Sequence, residues 1–195
     1  MTEIKSICVY TGKSGRVDQS FKDLAFNTGK FIAEQGWQLV YGGSKAGTMG
    51  LVADGALSAN GRVVGIIPEF LHQHVERQHT GLTELVVVED MHERKKMLAD
   101  RADGFLILPG GFGTLDEFFE ILTWRQISLH DKPIVIMNPD GFWDPLITLI
   151  KHMRDTHYVL PEHMTLFRVI DNLADFPEAL KNNQPDRRNH YNQWT

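Results

Sequence analysis

Residues 109–117 read Pro-Gly-Gly-Phe-Gly-Thr-Leu-Asp-Glu. The apolar run Gly104-Phe-Leu-Ile-Leu108 precedes them, and the helical spacing of Leu115, Phe118, Phe119 and Leu122 follows. A strand that passes through Gly110, Gly111 and Gly113 into a helix makes an anion site. Glycines let backbone N–H groups approach a ligand, and the helix N-terminus adds unpaired donors and partial positive charge. Glu117 stands one turn further on, where a phosphate alone has no use for a carboxylate; it is placed to address a sugar or a water. Thr114 and Glu117 also fit a capping box, in which each side chain takes the backbone N–H of the other. Three glycines in four positions shift the balance toward a ligand.

Two further strand ends have the same character. Tyr41-Gly-Gly-Ser-Lys-Ala-Gly-Thr-Met-Gly50 contributes Gly42, Gly43 and Gly47, and Tyr10-Thr-Gly-Lys-Ser-Gly15 a third turn. The three loops are expected to meet above the sheet edge. On the helical pattern 91–103, Arg94 and Lys95 fall beside the apolar group Met91, Leu98 and Ala102, so a carboxylate or a ligand phosphate is expected to await them. His72, His74 and His79 group on what reads as a loop, with no carboxylate or thiolate at ligand spacing, so no metal is expected.

These residues need a framework. The chain has 195 residues, 42% of them hydrophobic, which suits one α/β domain over 1–182 followed by a polar tail, 183–195, that Tyr191 and Trp194 could pin to a partner subunit. A formal charge of -5 offers no general surface for nucleic acid or anionic membrane. The single cysteine, Cys8, excludes an internal disulfide and sits in a core-like run. The start Met1-Thr-Glu-Ile-Lys lacks a signal-peptide pattern and no apolar run approaches the ~20 residues of a membrane helix, so a cytoplasmic protein is expected. Strands are expected at 6–11, 38–42, 62–67, 84–89, 104–108, 133–138 and 167–171, and helices at 19–35, 48–60, 91–103, 114–128, 142–156 and 173–182. Runs such as Pro133-Ile-Val-Ile-Met137 lack polar alternation, as strands covered on both faces should. The alternation implies a Rossmann-like, doubly wound parallel sheet with helices on both faces and ligands at the strands' carboxyl ends. On the 114–128 helix, Ile121 and Trp124 read as a face opposite Leu115, Phe118, Phe119 and Leu122; a helix apolar on two sides needs a second cover, which a homodimer partner would supply.

Met91-His-Glu-Arg-Lys95 followed by Pro109-Gly-Gly-Phe-Gly-Thr-Leu-Asp-Glu117 resembles the LONELY GUY (LOG) family, cytokinin riboside 5'-monophosphate phosphoribohydrolases often mislabelled lysine decarboxylases. The resemblance spans roughly residues 5 to 180 and includes Tyr41-Gly-Gly, Met49-Gly-Leu-Val-Ala-Asp54 and Leu129-His-Asp-Lys-Pro133. It implies a Rossmann-like dimer, without a cofactor, that hydrolyses nucleoside 5'-monophosphates to free base and ribose 5-phosphate. Arg94 and Glu117 would be the catalytic pair. Glu76, Lys95, Thr123 and the loop bearing Gly110, Gly111, Gly113 and Thr114 would line the nucleotide site, joined by the donors around Gly42, Gly43 and Gly47. Two departures stand out: Thr11-Gly-Lys-Ser14 replaces the family's Cys-Gly-Ser-Ser type turn, and Ser44 and Thr48 stand where a glycine and a leucine are common.

Two other functions compete. A nucleotide sensor or carrier would keep the loop, yet would have little use for Glu117 beside a phosphate. A pyridoxal-phosphate-dependent decarboxylase would need a Schiff-base lysine, and no feature singles one out.

Overall fold

The computed structural model describes residues 3–74 and 79–183. Seven strands among them form one sheet: β1 (Ser6–Tyr10), β2 (Gln38–Tyr41), β3 (Val63–Pro68), β4 (Glu84–Val88), β5 (Gly104–Ile107), β6 (Ile134–Met137) and β7 (Arg168–Ile170). Their order is β4-β3-β2-β1-β5-β6-β7, with every neighbouring pair parallel. β1, β3, β5 and β6 are buried along their whole length, which the unbroken apolar runs demand, while the edge strands β4 and β7 are partly exposed.

Helices α1 (Gln19–Glu34), α2 (Gly47–Ser58) and α7 (Phe176–Asn182) share one core layer with Ile7, Val9, Leu39 and Leu106. Helices α4 (Met91–Asp100), α5 (Phe112–Gln126) and α6 (Asp144–Asp155) share the other with Cys8, Tyr10, Val40 and Phe105. Alternate residues of each strand thus supply opposite layers. α1 buries Ala25, Thr28 and Ile32 and lies against α2 so closely that a Cβ on Gly29 would stand 1.8 Å from the Val52 oxygen.

Strand order reverses between β1 and β5. The chain builds outward from β1 to β4, then returns to lay β5 on the other side of β1. The loops leaving these two strands diverge to opposite layers and open a crevice at their carboxyl ends, the usual place for a ligand in such sheets.

The structure corrects three local expectations. Residues 69–74, read as a loop, form a short helix, α3 (Glu69–His74). α5 starts at Phe112 rather than 114, so Gly113 lies in its first turn, and its N-cap is Gly111 with no side-chain cap. The capping box is therefore absent: Glu117 turns to Arg94 instead. On the same helix, Ile121 is buried alongside Phe118, not opposite it, because three residues bring a helix back to the same side. Leu115, Phe119, Leu122 and Trp124 are only partly buried.

Candidate active site

A cavity of about 480 Å³ opens at the crevice, walled by Gly42, Ile67, Met91, Arg94, the start of α5 and Glu117, among others. Arg94 reaches it from α4, whose first turn is fixed by Asp90: that carboxylate accepts from the His92 and Glu93 N–H groups at 2.8 and 2.9 Å. The Arg94 guanidinium then makes three contacts. Its Nε donates to the Ile66 carbonyl (3.1 Å), one terminal nitrogen to the Gly42 carbonyl (3.3 Å) and the other to Glu117 Oε1 (3.1 Å). Glycine at 42 leaves room for this guanidinium, since a Cβ there would lie 2.0 Å from an Arg94 nitrogen and displace it.

Glu117 and Arg94 are each 6% exposed. Burial pushes the Glu117 carboxyl from its ordinary 4.5 up to about 7; Arg94 opposes the rise and neighbouring Asp116 adds to it. An arginine beside a carboxylate ordinarily holds it ionised. Here desolvation wins, and the carboxyl is poised to change charge near neutrality.

The glycine loop at the start of α5 forms a further part of the wall. Gly110 is required by its surroundings, since a Cβ would stand 2.1 Å from the Thr114 hydroxyl. Gly111 and Gly113 are different: a Cβ on either would meet no protein atom within 4 Å. Packing does not explain glycine at those two positions, whereas close approach of a ligand to the backbone does. The Thr114 hydroxyl is buried with no partner among the described residues, although such groups are rarely left unpaired. Phe112, 93% exposed, stands between the two open glycines at the cavity rim.

Gly43 (φ 77°) turns the chain beside Ile67, and Gly47 (φ 58°) lies beneath the β1–α1 loop, where a Cβ would come 2.2 Å from the Lys13 carbonyl carbon. Both shape the loop behind the cavity without lining it. Lys95 pairs with Asp116 (3.2 Å) and Glu120 (3.0 Å). Partial burial alone would lower its ammonium, but those two carboxylates raise it above its ordinary value. Thr123 lies further along α5, exposed, in the wall of a separate shallow groove with Leu115, Asp116, Phe119, Glu120 and Trp124. Glu76 lies outside the described residues. The sequence reading missed Ile67, Leu71 and Met91 as cavity walls. Apolar residues at strand ends and first helical turns read as core, and only the fold shows them bordering a space.

A family model described as possible lysine decarboxylase matches residues 49–180. A cytokinin riboside 5'-monophosphate phosphoribohydrolase from Rhodococcoides fascians is 43% identical over 157 residues, covering 80% of this chain and 79% of the relative. The protein of the same description called LOG5 in Arabidopsis thaliana is 36% identical, over 94% of this chain and 80% of its own. Among solved structures, a molybdenum cofactor binding protein from Rippkaea orientalis matches with a TM-score of 0.69 over 93% of this chain and 98% of that one, at 20% identity. The molybdenum cofactor carrier protein of Chlamydomonas reinhardtii matches equally well, with a TM-score of 0.69 at 20% identity. At that identity the likeness speaks for the fold alone.

Proposed function

Because this chain belongs to the LONELY GUY family of phosphoribohydrolases, we propose that it hydrolyses the N-glycosidic bond of adenosine 5'-monophosphates, including N6-substituted ones, to free base and ribose 5-phosphate. The observation that carries the reading is the buried Arg94–Glu117 pair sharing one cavity with a glycine loop that holds an unpartnered hydroxyl.

The 5'-phosphate takes the backbone donors of Gly111, Gly113 and Thr114, together with the Thr114 hydroxyl, at the positive end of α5. That seat carries the ribose toward Glu117. As the bond from C1' to the base nitrogen breaks, its electron pair leaves with the base and positive charge grows on C1' and the ring oxygen. The Glu117 carboxylate stabilises that charge in a site where water screens little, then takes a proton from the water that adds to C1'. The proton that Glu117 takes from the water balances the one that the leaving base nitrogen acquires, so the carboxylate is regenerated and substrate and water yield base and sugar phosphate. Arg94 holds the carboxylate in place and offsets its charge.

A second copy of the chain completes the assembly in this reading. The half-buried face of Leu115, Phe119, Leu122 and Trp124, beside the groove that Thr123 lines, supports a homodimer. We place the protein in the cytoplasm; no helix among the described residues is long and apolar enough to cross a membrane.

Chromatography of free base released from AMP and from isopentenyladenosine 5'-monophosphate tests the reading. Release of adenine or of isopentenyladenine supports it, and the ratio of the two rates defines the base preference. Tight binding of both nucleotides without release of either contradicts it and leaves a sensor or carrier.

A further inference from the structure

Two threonines outside the catalytic pair stitch together the three loops that build the site. Thr11 follows β1 and Thr48 opens α2; both are buried. Their hydroxyl oxygens lie 3.0 Å apart. Thr11 Oγ1 donates to the Pro109 carbonyl at 3.0 Å, and Thr48 Oγ1 donates to the Gly12 carbonyl at 2.6 Å. Two hydroxyl protons serve these three contacts. The Gly12 carbonyl can spare one, because it also accepts the Met49 N–H at 3.0 Å. Whichever way Thr48 turns its proton, Thr11 remains free to donate to Pro109.

Pro109 opens the glycine loop. Its peptide with Gly110 is a rigid plane whose C=O and N–H point in opposite directions. A carbonyl tied down to Thr11 therefore aims the Gly110 N–H away from the core. Gly12 also packs over this peptide, since a Cβ on it would stand 3.5 Å from the Gly110 Cα. We propose that Thr11 and Thr48 are positioning residues for the 5'-phosphate, a hydroxyl clasp that fixes the plane of the Pro109–Gly110 peptide and with it the course of the loop that presents the Gly111, Gly113 and Thr114 donors. The proposal rests on the hydrolase reading of the site and adds to it the device that sets phosphate affinity. The clasp acts through the loop and leaves the Arg94–Glu117 pair unchanged. Its effect falls on ligands that carry the phosphate.

The test uses the full-length protein with Thr11→Val, Thr48→Val, the double variant and Thr11→Ser. Ribose 5-phosphate binding is measured by calorimetry, base release from AMP and from adenosine by chromatography, and folding by thermal melting. Each valine variant is expected to weaken ribose 5-phosphate and raise KM for AMP about tenfold, with kcat within about twofold and adenosine turnover unchanged. The double variant should be no worse than the weaker single one, because one network is lost once. Thr11→Ser should bind like the wild type. Should Thr11→Val not fold, Thr48→Val decides. Unchanged ribose 5-phosphate affinity in a folded valine variant, or equal losses for AMP and adenosine, overturns the clasp while the hydrolase reading stands. Wild-type protein that binds ribose 5-phosphate but releases no base overturns the hydrolase reading, and the clasp is then judged on binding. No binding in the wild type overturns both.

Discussion

Arg94 and Arg125 are buried to nearly the same degree, 6% and 5% exposed; the first faces α5 through Glu117 and the second belongs to α5, yet their surroundings differ in kind. Arg94 meets a carboxylate whose own charge is in the balance, at the edge of a cavity. Arg125, at the far end of α5, is clasped by neutral acceptors: the Leu166 carbonyl at 2.7 Å, and the side chain and carbonyl of Asn183. Asn183 in turn accepts the Ile134 N–H and donates to the Thr165 carbonyl, so this knot ties the end of α7 to β6. Burial pulls the Arg125 guanidinium down to about 10, Arg168 adds to the fall and Asp131 opposes it; the group stays charged at neutral pH. Burial of a cation is therefore no mark of function by itself. The mark is a titratable partner and open space beside it.

Replacing each arginine by methionine is the strongest way to break that contrast. Arg125→Met should cost about 3–5 kcal/mol of stability, since several buried acceptors lose their donor, and should leave kcat/KM per folded molecule unchanged. Arg94→Met should lower kcat/KM by about a thousandfold, and its cost in stability should shrink as pH falls, because the stranded Glu117 can take up a proton. Thermal melts from about pH 5 to 8 separate the two, with little pH dependence of the loss expected for Arg125→Met. Equal pH dependence would put both arginines in the same class.

Gly42→Ala is a subtler intrusion. The added methyl would displace an Arg94 nitrogen without removing any charge, so kcat should fall about a hundredfold while stability drops by about 1–3 kcal/mol. Steady-state kinetics beside denaturant titration would check the split.

Glu117 gives activity and stability opposite signs in pH. Its folded value lies above the ordinary 4.5, so its contribution to stability is fully present below about pH 4.5 and is lost as pH rises through about 7. Catalysis needs the ionised form, so kcat/KM should climb about tenfold per unit up to about pH 7 and then level. A profile flat from pH 5.5 to 8, about that range, would contradict an ionising Glu117.

The smallest effect is expected for Glu120→Gln, which removes one of two carboxylates from Lys95 on the partly exposed side of α5. Pairs of this kind contribute at most about 1 kcal/mol, measurable by melting. A larger loss that grows on dilution would reveal an interface across this face.

Residue chemistry and periodicity made some parts of the site legible and left others dark. The glycine loop, Glu117 and Arg94 were readable because each breaks a local rule: glycines where a strand meets a helix, and charges on an apolar face. The doubly wound sheet followed from unbroken apolar runs such as Ile134–Met137. Thr114-x-x-Glu117 was ambiguous alone because a capping box and a ligand site use the same residue types, and the partner of Glu117 tells them apart. Ile121 was misassigned because Leu115, Phe119, Leu122 and Trp124 made most of α5 apolar, and periodicity blurs when one stripe meets another. The Thr11–Thr48 contact joins residues 37 apart in the chain, a distance across which no periodicity reaches.

Base release by the wild type and Glu117→Gln, with melting temperatures measured at about pH 8, tests the central claim most directly. Glutamine keeps the shape and removes the charge that burial disfavours. The predicted result is a variant at least as stable as the wild type whose release of base falls by about a thousandfold or more. A variant that melts no lower and still releases base at a comparable rate would contradict the account, because the buried carboxylate would then have no part in breaking the bond.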